Sequence, residues 1–135
     1  MKILEILTQK RITGNKGEAL AVKFLKREHY KIIKTNYLGN GHEIDIIAEN
    51  KDALVFVEVK TRNSHTVGLR EPRPSVSVTP EKQRSIISAS KGFIFSYRTK
   101  KKIRFDVIEV LLSENGGYEI CHIQSAFNLN TAYKK

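Results

Sequence analysis

The chain contains a single cysteine, Cys121. No intrachain disulfide can staple it, and with no CxxC partner Cys121 reads as a strand residue in a protein of a reducing compartment. His29, His42, His65 and His122 are scattered, without the spacing of a zinc site or a histidine dyad. Tryptophan is absent and aromatic residues make up only 8% of the chain. Few rings therefore interleave with the charges, so stacking on single-stranded nucleic acid is not signalled. No apolar run approaches a membrane span. The opening Met1-Lys-Ile-Leu-Glu-Ile-Leu7 is too short and too interrupted for a signal peptide, so a cytoplasmic location is expected. No GxxxxGK[ST] or GxGxxG fingerprint occurs, which argues against a glycine-rich nucleotide loop. Acidic residues are the other shortage: 14 stand against 24 Lys and Arg, for a net charge of +10 and a pI near 9.8. That balance favours a polyanionic partner, nucleic acid first and an anionic membrane surface second.

The 135 residues, 40% apolar, suit one domain with a real core, expected over about 14–127 with a frayed tail. A short amphipathic helix is expected over 1–12, interrupted at Thr13-Gly-Asn-Lys16. A stronger one runs from about Gly17 to Glu28, with Ala21, Val22, Phe24 and Leu25 at helical spacing. Glu18 continues that stripe towards the N-terminal end, although a surface glutamate near a helix start is also common. Tyr30 to Asn36 reads as a strand and Tyr37-Leu-Gly-Asn-Gly41 as a turn. Two apolar runs follow, Glu43-Ile-Asp-Ile-Ile-Ala48 and Ala53-Leu-Val-Phe-Val-Glu-Val-Lys60, joined by the polar Glu49-Asn-Lys-Asp52. Residues 62–79 form the longest irregular stretch, and a loop of that length usually serves function. Thr79-Pro80 predicts an N-cap and first helical position, opening a helix to about Tyr97 with Gly92 as a weak point. Ile103–Leu112 and Tyr118–Gln124 read as strands around the turn Ser113-Glu-Asn-Gly-Gly117. The expected fold is α/β: a central mixed sheet of four or five strands flanked by helices.

The hairpin carries the chemistry. A turn centred between Lys51 and Asp52 sets Asp45 opposite Glu58, and residues directly opposed or two apart on one strand share a face. Asp45, Glu58 and Lys60 then converge beside Ile47, Leu54 and Phe56, while Ile44, Ile46, Val55, Val57 and Val59 occupy the other face. Opposed carboxylates in an apolar setting repel, and burying them uncompensated costs several kcal/mol or forces protonation. A hard divalent cation such as Mg²⁺ removes that penalty, and a nearby lysine helps. The arrangement fits a metal site for phosphodiester hydrolysis. The plain alternative is a polar sheet edge with a surface ion pair. His42, close by on the strand, could touch such a site.

Cations supply the other half. Lys82, Arg84, Lys91, Arg98, Lys100, Lys101, Lys102 and Arg104 fall where Glu81 is the only acid, and Lys10, Arg11 and Lys16 precede Glu18. Such residues contact phosphates; the alternative is a solvated helix face and a charged loop. Lys82 and Arg84 follow the irregular stretch and could reach a scissile phosphate. Asp106 reads as a strand-end polar residue.

Taken together, Gly17-Glu-Ala19, Glu43-Ile-Asp-Ile-Ile-Ala48, Val55-Phe-Val-Glu-Val-Lys-Thr-Arg62, Thr79-Pro-Glu-Lys-Gln-Arg84, Arg104-Phe-Asp-Val107 and His122-Ile-Gln-Ser-Ala-Phe127 resemble the YraN-type family of small bacterial proteins, in the PD-(D/E)XK nuclease superfamily and similar to archaeal Holliday junction resolvases. The resemblance spans residues 17–127 and implies a restriction-endonuclease-like fold. It also implies Mg²⁺ or Mn²⁺ held by Asp45, Glu58 and the Val59 carbonyl, with Glu18 adding a direct or water-mediated contact. Lys60 would orient or activate the attacking water. Ile44 stands where the superfamily has proline, and His42 where glycine is often found. The expected function is a metal-dependent endonuclease on DNA, on branched or recombination intermediates, contacting phosphates through Lys16, Arg62, Lys82, Arg84, Lys100, Lys101 and Lys102. A homodimer would supply paired cuts. The alternatives are a non-catalytic nucleic-acid-binding module on a nuclease fold, and an accessory protein acting through a partner.

Overall fold

The computed structural model describes residues 3–63 and 78–130, with side chains from residue 14 onward. The predicted irregular stretch, apart from its first two and last two residues, and the end of the tail lie outside the described residues. Helix α1 (Ile3–Arg27) is followed by β1 (Lys31–Gly39), β2 (His42–Glu49) and β3 (Ala53–Asn63), then α2 (Pro80–Tyr97), β4 (Lys102–Leu112) and β5 (Tyr118–Phe127). The strands lie in that same order in one sheet. Pairing is antiparallel except between β3 and β4, which run parallel. Parallel neighbours need a crossover, and α2 lies within it.

The turn before β3 closes on Asn50, whose side-chain oxygen accepts the N–H groups of Asp52 (2.9 Å) and Ala53 (2.8 Å). This local cap pins the register: Ile46 faces Val57 and Ala48 faces Val55, as the turn position predicts. β3 is buried on both sides from Ala53 to Val57, which explains its unbroken apolar run. Ile47, Leu54, Phe56 and Phe105 pack towards Ile86, Ile87 and Phe93 of α2. On the other face Ile46, Val55, Val57 and Ile108 pack towards Ala21 and Leu25 of α1. The result is an α/β domain with an open five-stranded mixed sheet between two helices.

α2 starts as expected. Thr79 accepts the Lys82 N–H at 3.1 Å and Pro80 sits in the first turn, which satisfies one orphan donor and sets the helical φ. The helix runs unbroken through Gly92.

Four expectations need correction. α1 is one continuous helix with no break at Thr13-Gly-Asn-Lys16. Close packing on the sheet begins at Gly17, where a Cβ would stand 1.8 Å from Thr61 Oγ1, so glycine admits α1 against β3. β1 extends to Gly39, and the turn shrinks to Asn40-Gly41, both at positive φ, as a two-residue hairpin connection demands. The last strand continues past Gln124 to Phe127. Ile44 joins the α2-side cluster with Ile47, not the face of Ile46. Strand alternation therefore breaks at Asp45, opposite Asn36, which holds φ 50°.

Candidate functional site

The break in alternation makes the site. The β2–β3 ladder runs as far as Ile46 and Val57. One step further, the Val59 N–H donates to Asp45 Oδ2 at 2.8 Å, so the Asp45 carboxylate takes the place a strand carbonyl would fill. From there it meets groups from both layers. Glu18, half-buried on α1, and Glu43 on β2 each offer an oxygen within 4.8 Å of Asp45 and of one another. Asn36 bridges them, its amide donating to Glu18 Oε2 (3.1 Å) and Glu43 Oε1 (2.9 Å).

Glu58 stands outside this tight trio, buried on β3, with the Lys60 ammonium 3.8 Å away. Burial pushes the Asp45 pKa up to about 7, the Glu58 charge adds to the rise, the Val59 N–H offsets part of it, and Glu18 and Glu43 push the same way as Glu58. Burial also raises Glu58, against the pull of Lys82 and Lys60, with Glu18 and Glu43 adding to the rise. Four carboxylates thus share one pole of the sheet with too little positive charge. Oxygen donors of this kind suit Mg²⁺ or Mn²⁺, whose charge the cluster lacks.

Of the residues singled out in the sequence, Glu18, Asp45, Glu58 and Lys60 are brought to this pole, and Val59 touches Asp45 through its N–H. Lys82, in the first turn of α2, is near enough to act on Glu58. Lys16 is exposed on α1 beside Glu18, and Arg84 is exposed on α2. The Arg62 guanidinium is tied to buried Glu109 at 3.0 Å. His42 is exposed at the start of β2, and its imidazole makes no hydrogen bond or ion pair among the described residues. Lys100, Lys101 and Lys102 lie elsewhere. Lys102 pairs with Ala53, five residues before Glu58, or roughly 16 Å along the strand. Lys101 is tied to Glu49 at 3.3 Å and to the Asn50 carbonyl at 2.8 Å.

Glu43 and Asn36 are the members sequence reasoning missed. Glu43 carried a signal, since it stands two residues before Asp45 on one strand. Asn36 carried none, because its role depends on a left-handed backbone inside β1.

Asp106 is also corrected. It is fully buried within β4, where Arg104 Nε donates to Oδ1 at 3.0 Å and Nη2 to Oδ2 at 2.9 Å. His122 Nε2 lies 2.7 Å from Oδ2 and the Ser125 N–H donates to Oδ1 at 3.0 Å. Arg104 also donates to the Tyr30 hydroxyl. A strand-end reading fails because Asp106 lies inside β4 (Lys102–Leu112), where a register shift between Phe105 and Val107 leaves its carboxylate to His122 and Ser125 of β5. Arg104 and His122 are thereby structural.

The model of the Uncharacterised protein family UPF0102 matches residues 17–110. The chain is 42% identical over 120 residues to a UPF0102 protein of Chlorobium phaeobacteroides, covering 84% of this chain and 91% of the relative. It is 44% identical over 117 residues to one of Alkaliphilus oremlandii (84% and 96% covered) and 42% identical over 119 residues to one of Clostridium beijerinckii (87% and 94%). The matched span takes in α1 from Gly17, the carboxylate pole and β4, and the chain belongs to the UPF0102 family.

Proposed function

We propose that the protein is a metal-dependent endonuclease that hydrolyses phosphodiester bonds in DNA. One observation carries the reading: Asp45, held by the Val59 N–H, is gathered with Glu18 and Glu43 within 4.8 Å, and burial, with the charges of Glu58, Glu18 and Glu43 adding to it, raises its pKa to about 7. A chain that only bound polyanions would gain nothing from repelling carboxylates at its core edge. Asp45 and Glu58 would hold Mg²⁺ or Mn²⁺ with the Val59 carbonyl, and Glu18 and Glu43 are placed to complete the shell. When bound, the cation supplies positive charge that keeps these carboxylates ionised and offsets charge building on the phosphate. Lys60, set beside Glu58, orients the attacking water and stabilises its developing charge. Lys82 draws the phosphate towards the pole, and Lys16 and Arg84 extend that attraction on either side.

Branched or recombination DNA is the proposed substrate, and a homodimer would supply the two sites that paired cutting requires. Among the described residues no helix is long and apolar enough to cross a membrane, and Cys121 is a free thiol; we place the protein in the cytoplasm.

The test is cleavage of labelled four-way junction, flap, single-stranded and linear duplex DNA with Mg²⁺, Mn²⁺ or EDTA. Cutting should require metal and fall by more than about a hundredfold in Asp45→Asn, beyond what loss of an outer-shell partner costs. Equal cutting by both proteins would overturn the assignment. Salt-sensitive binding without cutting in either would favour a binding module instead, and neither activity would point to an accessory role through a partner.

A further inference from the structure

The end of the sheet away from the carboxylates holds a basic cleft. The turn between β2 and β3 and the connection from α2 to β4 border a shallow, open hollow of about 710 Å³, lined by Lys51, Arg98, Lys100, Lys101 and Lys102 with Asp52 as the one acid. Its walls are tied together. The Lys102 N–H donates to the Asp52 carbonyl at 3.3 Å and the Lys101 N–H to Thr99 Oγ1 at 3.0 Å. Lys101 spends its ammonium on Glu49 and the Asn50 carbonyl, so it braces the cleft.

The other four cations have no such duty. Lys51, Arg98, Lys100 and Lys102 form no ion pair among the described residues. Arg98 caps α2 in the left-handed conformation, φ 53°, with its N–H on the Ile94 carbonyl. Glycine is the usual residue there because it carries no steric cost. A cation at a helix C-terminus is favourable, which accounts for Arg98 but not for three lysines on a turn, a loop and a strand start. Gathered on a braced frame, these charges repel until an anion neutralises them.

We propose that this cleft is a second nucleic-acid surface, which grips the phosphodiester backbone away from the carboxylate pole. Several cations gathered around one open space suit a chain of phosphates better than a single ion. A membrane surface fits less well. Tyr97 is the one ring in the lining, and it cannot act as an apolar wedge, because its hydroxyl bonds Glu49 at 2.8 Å and its ring stacks on Phe93. α2, with 18 residues and so about 27 Å long, runs from Lys82 at the carboxylate pole to this cleft, so one bound duplex can reach both.

The experiment measures binding of a short DNA duplex by fluorescence anisotropy across a salt series, in EDTA, which removes any dependence on cleavage. In Lys51→Gln/Lys100→Gln/Lys102→Gln the Kd at low salt should rise at least about tenfold and the log–log salt slope should fall by roughly 2 to 3, near 0.9 per lost phosphate contact. The charge-matched Lys23→Gln/Lys26→Gln/Arg27→Gln, on the exposed end of α1, should keep both close to wild type. Lys51→Arg/Lys100→Arg/Lys102→Arg should bind as wild type does, which separates lost charge from lost fold. An unchanged slope in the glutamine triple would overturn the proposal, as would equal loss in the α1 control. Loss of binding to phosphatidylglycerol vesicles with DNA binding intact would assign the cleft to a lipid surface instead.

Discussion

Asp45 on β2 and Asp106 on β4 are both desolvated, yet their acidities move in opposite directions. Burial would raise Asp106, but hydrogen bonds from His122, Arg104 and the Ser125 N–H overcome it and hold the carboxyl below its usual value. Burial raises Asp45 too; its single backbone donor faces three carboxylates and cannot reverse the rise to about 7. Desolvation is common to both, so the neighbours decide. One site is closed, with every charge answered inside the protein. The other is left short of positive charge at an edge that solvent and ligands can reach. Native folds give up local stability in this way where something has yet to bind.

The widest separation between the two should appear on truncation. Asp106→Ala strands Arg104 and His122 without their anion, and removing one member of a buried pair costs about 3–5 kcal/mol. Urea unfolding should register that loss in full. Asp45→Ala removes repulsion along with one hydrogen bond and should leave the midpoint close to wild type. Equal destabilisation by the two variants would break the contrast, because it would make Asp45 as structural as Asp106.

Gly17 offers a way to disturb one region and spare the other. A methyl group there meets Thr61 Cβ at 2.8 Å as well as Oγ1 at 1.8 Å, and a β-branched neighbour cannot swing clear. Gly17→Ala should cost about 1–3 kcal/mol, as overpacking does, by lifting the start of α1 and carrying Glu18 away from Asp45. Phe24 and Tyr30, which flank His122 edge-on, lie further along and should hold. A variant that weakened Mg²⁺ binding, read by calorimetry, while His122 kept its wild-type NMR shift would fit.

The two carboxylates also predict opposite pH responses. A carboxyl whose folded pKa is raised takes up a proton on folding, so stability falls as pH rises from its unfolded value, 3.8, to about 7. Asp45→Asn abolishes that fall. Without metal, the variant should gain on wild type in melting temperature progressively between about pH 4 and pH 7, and no further above that. Asp106 works the other way: its contribution is present above the unfolded value and is lost as pH drops through its lower folded value. Acid unfolding of Asp106→Asn should accordingly be less steep than that of wild type. A constant gap between Asp45→Asn and wild type across the range would mean that Asp45 is not perturbed.

What the sequence revealed of each region follows the range of the interactions. The β2–β3 register was legible because Asn50 closes its turn through groups two and three residues away, and α2 was legible because Thr79 and Pro80 act within one helical turn. Those local devices place Asp45, Glu58 and Lys82. The rest depends on contacts that no window of sequence contains. Glu43 shares its strand with Asp45, but it meets Glu18 of α1 only because alternation breaks at Asp45, and the seating of α1 on the sheet at Gly17 depends on Thr61, far away in the chain. His122 meets Asp106 across a register shift between β4 and β5, so two residues that look idle in sequence bond to one another in the fold.

Asn36 tests the smallest feature separating the two regions. It holds Glu18 and Glu43 together as the nearest thing the carboxylate pole has to the Arg104–His122 clamp, yet it is neutral and exposed. A neutral donor exposed to water contributes about 1 kcal/mol, after exchange with water. Its φ of 50° adds a second effect, since alanine in that region costs roughly 1–2 kcal/mol where asparagine and glycine do not. Asn36→Gly keeps the backbone and removes only the amide. Its stability should change by less than about 1 kcal/mol, whereas Asn36→Ala should lose more. If the amide serves to gather ligands, Mg²⁺ affinity should fall in Asn36→Gly by up to about tenfold, the lower end for an outer-shell partner. If Asn36 serves only the turn of the strand, the glycine variant should bind metal as wild type does, and Glu43 would then lose its place in the site.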